Sequence, residues 1–197
     1  DAPQPDWSPV AELAPRLLRE QSKDLEVAAW WLEALTREHG FAGLRDGLRL
    51  IHGLVERFWD GLHPQPDEDG VSTRVAPLAG LNGDDAEGTL IAPIGLITIT
   101  GEIDVGGPYC AWHYHQATEL ERIEDAEQRE LRKAAGAPTM DQFRRGANSA
   151  GAAFYAELRQ DIADCRDTFA KLNAALEERC GHFAPPSTRI SDAISRV

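Results

Sequence analysis

The chain has 197 residues, 42% hydrophobic and 27% charged, which are the proportions of a soluble globular protein with room for one large domain or two small ones. Twenty Lys and Arg against 33 Asp and Glu leave a net charge of −13, which argues against nucleic acid and anionic membrane as partners and suits a protein that meets other proteins. No apolar run reaches the roughly 18 residues of a membrane span, no signal-peptide pattern occurs, and three scattered cysteines (Cys110, Cys165, Cys180) imply no disulfide framework, so a reducing cytoplasm is the simplest reading.

Because the chain opens on Asp1 rather than Met, a piece of a longer protein is expected. Residues 1–7, DAPQPDW, read as an extended Pro-rich arm with Trp7 as its anchor. A first helix is predicted over 8–20, with Ser8 as cap, Pro9 in the first turn, and Val10, Leu13, Leu17 and Leu18 facing inward.

The stretch from Lys23 to Gly70 organises the rest. It predicts two helices, 24–39 and 41–60, joined at Gly40, a residue that tolerates the positive φ needed to stop a helix. In the first, Leu25, Ala28, Ala29, Leu32, Leu35 and Thr36 share a face and Glu26, Glu33 and Arg37 lie opposite. In the second, Leu44, Leu48, Ile51, Val55, Phe58 and Leu62 make the apolar stripe and Arg45, Arg49, His52 and Glu56 the wet side. Gly47 lies inside that stripe, where it costs about 1 kcal/mol against alanine, and close approach of another helix is the expected return. Pro64 ends the second helix, leaving His63 at its terminus.

Beyond a polar corner, HPQPDEDGVSTR, a short helical piece is expected around Val75–Leu81 and an acidic loop at NGDDAEG. The β-branched run Leu90–Thr100 predicts a strand at 95–100, paired with Ile103–Val105 in a small hairpin through Gly101-Glu102. Residues 106–117 read as an aromatic loop, and 118–135 as an exposed charged helix or pair of helices opening on a capping box at Thr118…Glu121. Gly136-Ala137-Pro138 breaks that segment, and Thr139…Gln142 caps another short helix. Phe154, Leu158, Ile162, Cys165, Phe169, Leu172 and Leu176 predict a helix of about eight turns whose water side carries Asp161, Asp164 and Asp167. Ser187–Val197 starts one more helix.

Three constellations bear on chemistry. His63, Asp67 and Asp69 offer metal-ligating residue types within seven positions, although the loop is no EF-hand, because Gln65 and Ala76 stand at its first and last ligand positions. The plainer reading is a structural corner. Cys110, His113 and His115 also have metal-like types, without a fourth partner nearby and among packing aromatics. Trp30 and Trp31 cannot share a helix face: Trp31 is expected in the core, and Trp30, between Glu26 and Glu33, at a protein interface or under a loop. No Gly-x-Ser-x-Gly, Gly-x-Gly-x-x-Gly or Walker loop occurs, so neither a nucleophile elbow nor a nucleotide is implied.

Four pieces in order resemble the N-terminal domain of the ImpA/TssA family of bacterial type VI secretion. Pro5-Asp6-Trp7-Ser8-Pro9-Val10 is similar to the family's Pro-Asp-Trp-x-x-Val, and Lys23-Asp24-Leu25-Glu26-Val27-Ala28 to its Lys-Asp-Leu-x-Val-Ala. Leu35-Thr36-Arg37-Glu38-His39-Gly40-Phe41-Ala42-Gly43-Leu44 is similar to Leu-Thr-Arg-x-x-Gly-x-x-Gly-Leu. Trp59, Asp60, His63, Pro64, Asp67, Asp69, Gly70 and Arg74 stand where the family has its Trp-Asp…His-Pro…Asp-x-Asp-Gly corner. The likeness covers roughly residues 5–81; Pro77, the loop 108–115 and the charged stretch after it depart from the family's pattern.

The resemblance implies a cytoplasmic, non-enzymatic assembly factor without cofactor, which joins baseplate and sheath proteins and multimerises through a separate C-terminal region absent from this chain. The expected fold is mainly α, a multi-helix domain around a central helical hairpin with one small β-hairpin. Residues 1–197 are taken as one ImpA N-terminal-like domain: arm 1–7, family core 8–81, loop and β-hairpin 82–117, helical remainder 118–197. Within it, Trp59, Asp60, His63, Asp67, Asp69 and Arg74 are expected to form a hydrogen-bonded lock, and Trp30, Glu26 and Glu33 a docking surface. The alternatives are a metal-dependent hydrolase using His63, Asp67 and Asp69, and a generic helical adaptor.

Overall fold

The computed structural model of the chain describes residues 5–84, 86–104 and 106–197. Among them the regular structure is helical: α1 (Ser8–Glu20), α2 (Leu25–Phe58), α3 (Val71–Asn82), α4 (Ile91–Gly95), α5 (Ala111–Arg122), α6 (Ala126–Ala134), α7 (Met140–Ser149), α8 (Gly151–Cys180) and α9 (Thr188–Ser195). The chain divides into two compact units, one of residues up to 94 with 161–196, the other of 95–160. No helix among the described residues is long and apolar enough to cross a membrane.

In the first unit α2 is the predicted pair of helices. Gly40 breaks it with φ 59° and ψ −135°, a backbone state that L side chains rarely adopt. The two limbs then fold back on each other at very close range. A Cβ on Gly43 would overlap the Leu35 carbonyl, and one on Gly47 would sit 3.0 Å from the Leu32 Cα. The glycine inside the apolar stripe thus has the close helix approach its cost implied. Leu25, Ala28, Leu32, Leu44, Leu48, Ile51 and Val55 are all but fully buried along this seam. Each Leu, Ile or Val among them contributes roughly 1.5–3 kcal/mol of apolar burial.

Leu78 and Leu81 of α3, Phe169, Leu172 and Leu176 of α8, and Ile190 of α9 close over the hairpin around a cavity of about 20 Å³. The acidic row on α8 does not mark a water side, as its spacing suggested. Asp161 accepts from Arg45, and Asp164 from Arg49 at 2.8 Å, while Asp167 alone of the three faces outward, paired with Lys171. Arg45 and Arg49 are accordingly not free wet-side residues.

Several inward assignments are corrected. Leu13 is half-exposed, and α1 buries Ala14 and Leu18 instead. Ser8 does not cap α1; its backbone N–H donates to Asp6, and Trp7 occupies the cap position. Phe58 is 44% exposed at the end of α2, and Leu54 is buried in addition to the predicted stripe. Leu35 and Trp31 are half-buried. Glu33, expected on the wet face, is 6% exposed and accepts from Arg37 at 2.7 and 3.1 Å, while the Arg37 guanidinium lies 5.1 Å from the Trp7 ring. That stack is the anchor expected of Trp7. The arm itself is described only from Pro5.

The second unit overturns the β-hairpin. Ile91–Gly95 is helix, and no sheet forms among the described residues. Thr98 makes an isolated bridge with Cys110, and the Ile99 N–H donates to the Tyr109 carbonyl at 2.7 Å. The ladder stops there for a local reason. The next donor, Tyr109 N–H, takes the Thr100 hydroxyl, and Gly101 N–H takes the Gly146 carbonyl of α7. Val105, assigned to the partner strand, lies outside the described residues.

The aromatic loop is also helix from Ala111, so Thr118 is not a cap. Its hydroxyl donates back to the Tyr114 carbonyl in mid-helix. Asp125 caps α6 in its place, and Thr139 with Gln142 caps α7 as predicted.

Candidate functional site

The corner after α2 is assembled from backbone first. Trp59–Gly61 makes one 3-10 turn, Leu62 is fully buried, and the chain then runs beside the start of α2. The His63 N–H donates to the Lys23 carbonyl at 2.8 Å, and the His63 carbonyl accepts from Leu25 N–H at 2.7 Å. The Asp24 carboxylate takes the next two open donors, Glu26 N–H and Val27 N–H. The end of the second limb therefore completes the N-terminal cap of the first. His63 does this with its main chain; its side chain is exposed.

Arg74, one turn into α3, holds the corner from below. It is only 5% exposed. Its Nε donates to the Pro64 carbonyl at 3.3 Å and its second guanidinium nitrogen to Gln65 at 3.2 Å, while Gln65 donates to the Leu62 carbonyl. The Arg74 guanidinium also lies 5.1 Å from the Trp59 ring centroid, a cation–π distance.

Asp67 shapes the outer turn. It accepts from the Thr73 hydroxyl and, at 3.0 Å, from Asp69 N–H, and Gly70 N–H closes on the Asp67 carbonyl. Those donors, the Thr73 hydroxyl foremost, hold its carboxyl below the usual range. The expected lock is thus only partly drawn from the residues assigned to it. Trp59, Pro64, Asp67, Gly70 and Arg74 join it through the contacts just described, His63 and Asp69 enter by main chain, and the exposed Asp60 carboxylate takes no part in these bonds.

No group of three His, Cys, Asp or Glu side chains able to hold a metal gathers among the described residues. The alternative hydrolase reading therefore finds no ligand set in His63, Asp67 and Asp69. Cys110 and His113 do meet, at 3.0 Å from Sγ to Nδ1, but as the cap of α5, where the Cys110 N–H also donates to Nδ1 at 3.1 Å. His115 points elsewhere, beside Tyr114. All three cysteines are free and buried. Burial pushes the Cys165 thiol up to about 12 and raises that of Cys180, the reverse of what a nucleophile needs.

Two contributors escaped the sequence reading. Arg179, near the end of α8, lays its guanidinium 5.7 Å from the Trp59 ring, 120 positions away in sequence, with no local motif to announce it. Asn82 is buried; its Oδ1 accepts from Ile190 N–H at 3.0 Å, and so caps α9 from a distance. Arg189 donates to the Asp84 and Ala86 carbonyls and ties the same helix to the loop after α3. On the first limb, Trp30 is 51% exposed and Glu26 is open beside it, whereas Glu33 is withdrawn into its pair with Arg37.

These features define a mainly helical domain whose signature residues build a structural corner. Residues 1–83 match the family described as ImpA, N-terminal, type VI secretion system. That region, under half of the chain, is similar to the ImpA N-terminal domain of the ImpA/TssA proteins.

The chain is 40% identical over 80 residues to the type VI secretion system component TssA1 of Pseudomonas aeruginosa, a match that takes in 39% of this chain and 23% of that protein. Its fold matches the N-terminal domain of the TssA component of the type VI secretion system from Burkholderia cenocepacia with a TM-score of 0.87 and 28% identity, over 98% of this chain and 76% of that one. The likeness in fold thus extends through α4–α9, where the family's sequence motifs end.

Proposed function

We propose that this domain is a non-enzymatic scaffold module of a type VI secretion machine, working in the bacterial cytoplasm and docking baseplate or sheath components. The observation that carries the reading is the fold match to a TssA N-terminal domain over nearly the whole chain, together with a signature corner whose polar groups are spent on closing a helical hairpin. Co-purification of the 197-residue chain with individual baseplate and sheath subunits tests it; failure with every one of them defeats it.

Trp30 supplies a docking residue for this role. It is half-exposed on the first limb of α2, and large exposed aromatics dominate interface energetics. Glu26 remains as its polar rim, and Glu33 is removed from the surface by its pairing with Arg37. Trp30→Ala is expected to keep the melting temperature and to weaken capture of the partner by about 2 kcal/mol. Trp31→Ala, at a half-buried position, is expected to destabilise the fold by about 2–3 kcal/mol, less than the roughly 3–5 kcal/mol of a fully buried aromatic. Unimpaired capture by folded Trp30→Ala would move docking to another face.

A further inference from the structure

Beside the corner lies an open cleft of about 300 Å³, lined by Lys23, Glu56, Arg57, Phe58, Trp59, Asp60 and Arg179. Three cations against two carboxylates make this a basic spot on a chain of net charge −13. Of the four arginines on α2, Arg37, Arg45 and Arg49 hold carboxylates. Arg57 holds none among the described residues, and Arg179 rests on the face of Trp59 rather than on an acid. Phe58, which the apolar spacing of α2 would place in the core, is instead presented to solvent with the Lys23 ammonium 5.4 Å from its ring. Trp59, which lines the cleft, is also held by buried Arg74 of α3, whose guanidinium lies 5.1 Å from its ring.

We propose that this cleft is a binding site for an acidic peptide segment of a partner protein, one that carries a bulky apolar side chain among its Asp and Glu residues. The partner's carboxylates would pair with Arg57 and Arg179, the planar donors suited to them. Its apolar side chain would cover Phe58. Glu56 and Asp60, which also line the cleft, would accept backbone N–H groups of an extended peptide and repel a polyphosphate. The chain's overall negative charge likewise disfavours nucleic acid and anionic membrane at this spot. The inference rests on the docking role proposed above and names the chemistry of one docked segment.

The test uses the 197-residue chain and a short fluorescein-labelled peptide of Asp and Glu interspersed with Leu and Phe, beside a twin carrying Asn and Gln in place of the acids. Fluorescence anisotropy is read at about 50 and about 300 mM NaCl, which shortens the screening length roughly twofold or more. The acidic peptide is expected to bind and the amide twin to bind at least about tenfold more weakly, with affinity falling as salt rises. Arg57→Glu and Arg179→Glu are each expected to weaken binding about tenfold or more, Phe58→Ser severalfold, and Arg122→Glu in the second unit less than about twofold.

Arg179 also stacks on Trp59, so Arg57→Glu, checked by its melting curve, is the deciding variant. Equal binding of the two peptides, no binding of the acidic one, or full binding by Arg57→Glu would overturn the proposal. So would a weakening by Arg122→Glu as large as that by Arg57→Glu, which would reduce the effect to net charge. A dimer of the chain alone that Arg57→Glu dissociates would give the cleft to a second copy and overturn the partner assignment. Co-purification with secretion subunits that survives Arg57→Glu would leave the scaffold role standing while this site falls.

Discussion

The two limbs of α2 bury fifteen residues between Leu25 and Val55, whereas α6 buries none and α5 and α7 bury two each. The helices of the first unit are held by what they pack against. Those of the second bury less, and each carries a side-chain cap: Asp125 on α6, Thr139 with Gln142 on α7, Cys110 with His113 on α5. Apolar seams between two limbs tolerate loss of one polar contact but not a change of spacing. Capped, exposed helices tolerate changes of volume but depend on single acceptors worth about 1 kcal/mol apiece.

The sharpest way to break the first kind of order is one methyl group. Gly43→Ala gains up to about 1 kcal/mol of helix propensity, but its Cβ would meet the backbone carbonyl of Leu35, which cannot rotate away. The limbs must part, and a net loss of about 3 kcal/mol is expected, read as a fall in Tm of roughly 6–12 °C. A variant that melts like the parent would mean that the two limbs can separate at little cost, and that the seam does not set their spacing.

Next in size is the corner that closes the hairpin. Arg74→Ala strips the buried donor from the Pro64 carbonyl and Gln65 and removes the stack on Trp59, at an expected cost of about 2–3 kcal/mol. Asp60→Ala, in the same motif, removes an exposed carboxylate that none of those bonds use, and is expected to change stability by no more than about 0.5 kcal/mol. Thermal melts of the pair separate the residue that builds the corner from its neighbour in sequence.

These two cases show what could be read ahead of the structure. Gly40, Gly47 and the apolar steps Leu44, Leu48, Ile51 and Val55 reported the hairpin because spacing along one helix is local information. Residue types at the corner reported a constellation, but not which atoms it uses. Residue type points to the His63 side chain, whereas His63 acts through its main chain. Phe58 fits the period of the stripe and still lies outside the core, as the last residue of the helix. The β-hairpin failed for a related reason: Leu90–Thr100 has strand-like residues, but a side-chain hydroxyl and a helix carbonyl took the hydrogen bonds that a ladder needed. Arg179 and Asn82 act across 120 and 108 positions, and no window of sequence contains both ends of such a contact.

Asn82 offers a case between the two kinds of order, a cap placed inside the packed unit. Asn82→Ala removes the acceptor for Ile190 N–H and leaves that donor buried, so a loss of about 1–2 kcal/mol is expected. Arg189, which ties the same helix to the Asp84 and Ala86 carbonyls, remains in place in this variant. Proteolysis near 187–197 should therefore rise only modestly; release of the whole helix would show that Asn82 alone holds it.

The smallest effect tests whether capping governs the second unit. His113 Nδ1 accepts from the Cys110 N–H, so that nitrogen must be free of a proton. The ring sits against Tyr109 and Trp112 at 5.4 Å each, in a groove of about 490 Å³ that Lys133 and Arg145 also line. Burial lowers its pKa below the ordinary 6.5. The unfolded chain then takes up this proton more readily than the folded one, so stability from this group is complete above pH 6.5 and declines as pH falls through 6.5 toward the lowered value. The imidazole is only part-buried, so its charged form keeps some solvation, which limits the decline to about 1–2 °C in Tm. His113→Gln keeps an acceptor at the third helical position and cannot titrate. The difference between parent and variant melting curves between about pH 7.5 and 5.5 isolates the group, and the parent is expected to lose the extra degree or two on the acid side. A difference of the opposite sign, with the parent gaining stability as His113 is protonated, would mean that the cap is not what orders the start of α5.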